Sequence, residues 1–399
     1  MGSFFKNNWL KLLLTIGCLV IDCFIGFIGL LWLTWRLGAN EILSIGSFVV
    51  FPTLFLPLVW CKKDKWKKCF IGWLIFIGIY AVFLSIPIVL EEYEDSITVK
   101  EVVNIDTSKY MPFNKNSKIA FLDEESTLKL TDNLPRIDGA AAFFPVYSAY
   151  VNAVYPDSID LSLISDDNVF LYNNTSRGYS ILAQKKSDIF FGVYPSEDQL
   201  YYAEHFGTEF VFTPIGDEAF VFFTHKDNPV DNLTIEQVKA IYSGEITNWK
   251  EVGGNNVPIK AYQRNSGSGS QSMMERFMGD TPLMIPPKHQ VQDLMSGIID
   301  KVTDYQNRHS AIGFSYRYYL TGIMSNPDVK LLKIEGVAPT NENIRNRSYP
   351  IRTPIYAVTY EGQENENVQI FLDWVLGPQG QELLEKSGYV SLNNYSDAN

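Results

Sequence analysis

The chain has 399 residues, 33 basic and 45 acidic, with a formal net charge of −12. Residues 1–90 hold eight basic and three acidic side chains (Asp22, Glu41, Asp64), which leaves 25 basic and 42 acidic residues in 91–399, a net −17 there. That balance argues against a nucleic-acid partner, because phosphate backbones are bound by basic faces. All four cysteines (Cys18, Cys23, Cys61, Cys69) lie in the first 70 residues, so 91–399 can form neither a disulfide nor a thiolate metal site.

Three apolar stretches open the chain, roughly 9–35, 42–60 and 70–90. Each is long enough to cross a hydrocarbon core, which takes about 20 helical residues. Trp9, Trp35, Trp60 and Trp66 sit near their ends, where interfacial tryptophans are expected. Five lysines in 61–68 mark the second link as cytoplasmic by the positive-inside rule. The expectation is a multi-pass cell-membrane anchor of three transmembrane α-helices over 1–90, N-terminus cytoplasmic, with the C-terminal domain extracytoplasmic. The first run is too long for a cleaved signal peptide, and Thr15-Ile16-Gly17 lacks the aliphatic residue that precedes a lipidated cysteine. Asp22 falls mid-span, where a carboxylate is costly; it is read as helping the spans pack.

Residues 91–115 are polar and mixed and read as a linker. Beyond them, strand and helix patterns alternate. Strands are expected at 118–122, 188–193, 210–212 and 219–223, with a further apolar run at 169–172. A helix is expected over 145–154. Thr234 followed three residues later by Gln237 fits a capping box, and Gly244 fits the stop of that helix. One last helix is expected near 367–386, ending before Gly388. Alternating strands and helices indicate an α/β architecture.

The sharpest local feature is Arg264-Asn265-Ser266-Gly267-Ser268-Gly269-Ser270, between a strand pattern at 257–261 and a helix pattern carrying Met273, Met274, Phe277 and Met278. The first turn of a helix has N–H groups without intrahelical acceptors and a partial positive charge. Glycines let the backbone approach an anion, serines add rotatable donors, and Arg264 supplies a planar fork for two oxyanion oxygens. A flexible loop with an ordinary serine N-cap fits the residue types equally well. A Walker loop lacks its lysine, and a nucleophile elbow needs glycines where Ser266 and Ser270 stand. Ser126 and Lys129 match Ser-x-x-Lys without the accompanying motifs. His205, His225, His289 and His309 show no metal spacing. No cofactor, metal or catalytic group is expected, and the chain is read as a binding protein, not an enzyme.

Residues 213–234, 241–254, 311–315, 335–340, Gly377-Pro378-Gln379-Gly380-Gln381 and Gly388-Tyr389-Val390 resemble, in order, the phosphate-binding receptors of phosphate ABC transporters. The resemblance implies a type II periplasmic-binding-protein fold, two α/β lobes joined by hinge strands. Lobe I would span 116–213 plus 330–399 and lobe II 214–329. The family's phosphate loop falls on Arg264, Gly267, Ser268, Gly269 and Ser270. A first-lobe loop falls on Asp138 to Phe143, where Ala141, Ala142 and Phe143 offer backbone donors only. A third loop brings Ser176, with Arg177 as an extra cation. Many such receptors carry an Asp that accepts a proton from the ligand; here the position reads Val193-Tyr194-Pro195-Ser196, with Asp138 as a substitute. The resemblance implies capture of phosphate or a related small oxyanion for ABC-type uptake, with ABC permease subunits as partners. The alternative is a membrane-bound sensor or assembly subunit with altered or lost ligand binding.

Overall fold

The computed structural model describes residues 105–392 apart from 162–167, 288–289, 293–294 and 305, together with scattered positions between 9 and 75. The chain divides into two compact units, Met1–Val99 and Lys100–Asn399. Among the described residues no helix is long and apolar enough to cross a membrane. This corrects the expectation of three transmembrane helices and the multi-pass placement built on it. Most of the three stretches, with Asp22 and the cysteines, lies outside the described residues.

In the second unit, an eight-stranded mixed sheet forms the centre; six strands follow one path in the order Ile137–Gly139, Ile189–Gly192, Arg352–Tyr360, Phe210–His225, Ala311–Tyr316 and Lys260–Ala261, and two more, Val329–Leu331 and Val390–Ser391, pair with Phe210–His225 off that path. β1 (Ile137–Gly139) and β2 (Ile189–Gly192) run parallel, with Ile137 opposite Ile189. β11 (Arg352–Tyr360) runs antiparallel to both β2 and β3 (Phe210–His225). The first part of β3 pairs with β11 and with β12 (Val390–Ser391). Its last six residues pair instead with β8 (Ala311–Tyr316) and β9 (Val329–Leu331), Phe220 standing opposite Tyr316. β5 (Lys260–Ala261) lies parallel to β8. Two small parallel pairs flank the sheet: β4 (Asn232–Leu233) with β10 (Lys333–Ile334), and β6 (Gln263–Arg264) with β7 (Val291–Gln292).

β3 merges the two strands expected at 210–212 and 219–223. Pro214 can sit inside it because the ladder to β11 slips there: Ile355 faces Gly216 and Tyr356 faces Pro214, so Ile215 is the extra residue of a bulge. A proline without an N–H is tolerated at such a bulge. From Ala219 onward every β3 residue is buried, as a central strand covered on both faces must be.

The longer helices of this unit are α1 (Phe144–Val154), α2 (Thr175–Ala183), α3 (Glu197–His205), α4 (Ile235–Ser243), α5 (Gly269–Met278), α6 (Met295–Thr303), α7 (Glu366–Leu376) and α8 (Pro378–Lys386). α4 has the expected capping box on Thr234 and stops at Gly244, whose φ is +83°. The single helix expected at 367–386 is two. Gly377 is extended and Pro378 begins α8, because proline brings no N–H to continue α7 but suits a first turn. Residues 118–122 form no strand; Lys118 N–H donates to the Lys109 carbonyl instead. The run at 169–172 contributes only a bridge from Phe170 to Ile137. Ile105 and Tyr110, in the segment read as a linker, are buried, and the Phe113 N–H donates to Asn152 Oδ1 of α1 at 2.8 Å.

Candidate functional site

Three helix N-termini converge on one cavity of about 290 Å³. The first follows β1: the chain passes through Ala140 and a 3-10 turn at Ala141–Phe143 into α1, with Pro145 in its first turn. The second is the start of α2, where Asn174 accepts from the Arg177 N–H at 2.9 Å and acts as N-cap. The third is the start of α5, where Ser268 Oγ accepts from the Gln271 N–H at 3.3 Å. Ala141, Ala142, Phe143, Ser176, Arg177, Arg264, Ser268 and Gly269 all line the cavity. First-turn amides have no intrahelical acceptor, and each helix adds a partial positive charge at this end, so the cavity suits an anion.

Arg264 ends β6 and is nine-tenths buried. Its Nε donates to the Gln292 carbonyl at 2.9 Å, and its backbone N–H donates to Gln271 Oε1 at 3.0 Å. The first bond holds the guanidinium at the cavity wall, and the second holds the main chain that carries it. Gln271 Nε2 donates to Gln263 Oε1 at 3.3 Å, which ties α5 back to β6. Across the cavity, the Tyr316 hydroxyl donates to the Gly269 carbonyl at 2.9 Å, and burial pushes that phenol up, keeping it a donor. Tyr389 hydroxyl donates to the Ala142 carbonyl and anchors the first loop.

Two residues expected at the site stand elsewhere. Gly267 does not line the cavity; its carbonyl accepts from Ser176 Oγ at 2.8 Å and Gln199 Nε2 at 3.0 Å. Ser270 is fully buried within α5, and its hydroxyl has no hydrogen-bond partner among the described residues. The Phe143 N–H donates to the Ala140 carbonyl at 2.8 Å, so that donor is committed to the turn. Asp138 is fully buried behind the wall, accepting from the Gly139 N–H at 2.8 Å and from Asn173 Nδ2 at 2.9 Å. In the loop after β2, Val193 lines the cavity, the Tyr194 and Pro195 carbonyls accept from Arg276, and Ser196 caps α3. No carboxylate is present among the described lining residues.

Sequence reasoning passed over Ile105, Tyr172, Asn173, Tyr316 and Tyr319, which also line the cavity. They come from separate segments and share no motif. Asn174 alone carried a local signal, as an Asn directly before a Thr-Ser helix start.

A sheet of this order with an anion cavity between loops and helix N-termini defines a ligand-binding α/β protein of the periplasmic-binding type. Residues 136–379 match the family model of the PBP superfamily domain, and the chain belongs to that family. It is 28% identical over 179 residues to a phosphate-binding protein PstS of Borreliella burgdorferi, covering 44% of this chain and 63% of that one. It is 42% identical over 85 residues to phosphate-binding protein PstS 2 of Streptococcus agalactiae, covering 21% and 27%. The chain thus spans less than two thirds of the length of these relatives. A solved structure of a putative phosphate ABC transporter substrate-binding protein with bound phosphate, from Clostridium perfringens, aligns with a TM-score of 0.51 and 26% identity, covering 66% of this chain and all of that one.

Proposed function

We propose that the chain is a substrate-binding protein that captures phosphate or a closely related oxyanion in this cavity, as the receptor of an ABC-type permease. The observation that carries the reading is the convergence of three helix N-termini and Arg264 on one cavity. The names of the relatives, and the bound phosphate of the Clostridium perfringens protein, support phosphate as the first ligand to try. The ligand-contacting set is then Arg264, Ser268, Gly269, Ala141, Ala142 and Ser176, with Gly267, Ser270 and Phe143 shaping the loops that hold them.

In this reading the sheet serves two lobes, 116–213 with 330–399 and 214–329, and β3 crosses between them. The anion would first meet Arg264 and the start of α5, and closure would bring the starts of α1 and α2 onto it. No step needs a nucleophile, a base or a metal.

Isothermal calorimetry with inorganic phosphate tests the assignment. The wild-type chain is expected to bind, and Arg264→Ala to lose at least about 30-fold in affinity, since truncating a buried charged partner costs roughly 2–5 kcal/mol. Unchanged affinity in Arg264→Ala would remove the cavity from consideration.

A further inference from the structure

Ile105 is buried and lines the anion cavity, yet it belongs to a segment whose sequence reads as a linker. From it the chain makes one 3-10 turn, Thr107–Tyr110, and buries Tyr110 and Pro112. The Phe113 N–H then donates to Asn152 Oδ1 at 2.8 Å. Asn152 lies in the last turn of α1, about 12 Å along the axis from Phe144 at 1.5 Å per residue. The segment is therefore fastened at one end beside the anion and at the other to the far end of a helix whose start faces the anion. Tyr110 reaches the first loop as well. Burial, with Tyr110 adding to it, pushes the Tyr318 phenol up. The Tyr318 and Tyr389 ring centroids stand 4.8 Å apart, and the Tyr389 hydroxyl donates to the carbonyl of Ala142 in the cavity wall.

The last residue of this segment is strained. Phe113 has a φ of +58°, a region that a bulky side chain adopts only when its surroundings impose it. Here they are the bond to Asn152 and the packing of the Phe113 ring against the core. Releasing the segment would relieve that strain, which brings its docked and released forms closer in free energy. An element balanced in this way responds to a ligand that touches one of its two forms.

Building on the anion-site reading, we propose that residues 105–113 form a strap whose docking completes the cavity, so that phosphate binding and strap docking strengthen each other. Linkage makes the effect reciprocal: phosphate holds the strap down, and a variant that loosens the strap lowers the binding-competent fraction and with it the apparent affinity. The test combines calorimetry with inorganic phosphate and hydrogen–deuterium exchange, both on the full chain. Phosphate is expected to slow exchange across 105–113 at least about fivefold, the lower end of ordinary couplings. Asn152→Ala, which removes the acceptor of the Phe113 N–H, is expected to weaken phosphate about fivefold. Asn152→Asp keeps an acceptor oxygen and is expected to stay within about twofold of wild type. Lys129→Met removes a different bond at the same end of α1, from Lys129 Nζ to the Ala153 carbonyl at 2.8 Å, and is expected to leave phosphate affinity within about twofold. Phosphate bound by the wild-type chain with exchange across 105–113 unchanged, or bound equally by Asn152→Ala, would overturn the inference and leave the anion site standing. An equal loss in Lys129→Met would make Asn152 a support of α1 alone and overturn it too. No phosphate binding by the wild-type chain would bring down the anion-site reading and this inference together.

Discussion

Gly267 is held at φ +77°, and a Cβ there would stand 2.8 Å from Ser176 Oγ, whose hydroxyl bonds the Gly267 carbonyl. Gly267→Ala therefore meets both backbone strain and a contact. It is expected to destabilise the chain by about 1–3 kcal/mol, read in urea melts, and to weaken phosphate by displacing Ser268. At Glu218, in the middle of β3, a different balance operates. The carboxylate is fully buried, accepts from Arg317 Nε at 3.1 Å and from the Ala219 and Tyr318 amides, and Arg317 also donates to the Gly388 carbonyl. Burial pushes this carboxyl up in spite of Arg317. A carboxyl that protonates more readily folded than unfolded contributes most below its unfolded value, near pH 4.3, and loses that contribution as pH rises through the raised folded value. Urea melts of wild type and Glu218→Gln from pH 4 to 7 are expected to show a more positive slope of stability with pH in the variant. Parallel slopes would mean that burial is not the dominant influence on Glu218.

Capping separates a helix's structural role from its ligand role. Ser268 caps α5 at the cavity, whereas Thr234 caps α4, which does not line it. Ser268→Ala and Thr234→Ala are each expected to cost about 1 kcal/mol of stability, but only Ser268→Ala should change phosphate affinity. Equal affinities in calorimetry would detach the start of α5 from the site. Elements of this kind were legible in the sequence because their signals are local: the Thr234–Gln237 box, Gly244, and the Arg264–Ser270 loop before a methionine-rich helix all formed where expected. Where the reading missed, non-local pairing decided. The strand expected at 118–122 found no partner strand, and two expected strands became one β3 because β11 and β8 bracket it in succession. Gly377-Pro378 was a local signal for a helix break that the apolar stripe across 367–386 masked.

At the scale of the molecule, the site is assembled from segments up to about two hundred residues apart in sequence, Ile105 to Tyr319. Nothing in a linear pattern places Ile105 or Tyr319 beside Arg264; only the order of the sheet does. The same folding sets two ties between the 175–199 segment, from the start of α2 into α3, and the α5 region. Ser176 Oγ and Gln199 Nε2 share the Gly267 carbonyl, and Arg276 donates to the Tyr194 and Pro195 carbonyls at 3.3 and 3.2 Å while lying 4.9 Å over the Tyr194 ring. In the two-lobe reading these bonds cross the cleft and exist only when it is closed. Removing them should then leave the open form and the encounter step intact while shortening the life of the closed complex, because differences among variants of one interface fall mainly on dissociation. Each hydrogen bond contributes about 1 kcal/mol net, so Gln199→Ala, which removes one, is expected to raise the phosphate dissociation rate roughly fivefold, and Arg276→Ala, which removes two, roughly 25-fold, tenfold corresponding to about 1.4 kcal/mol. Stopped-flow measurements should show an association rate within about twofold of wild type. A slowed association with unchanged dissociation would mean that these bonds shape the open cavity and do not hold it shut.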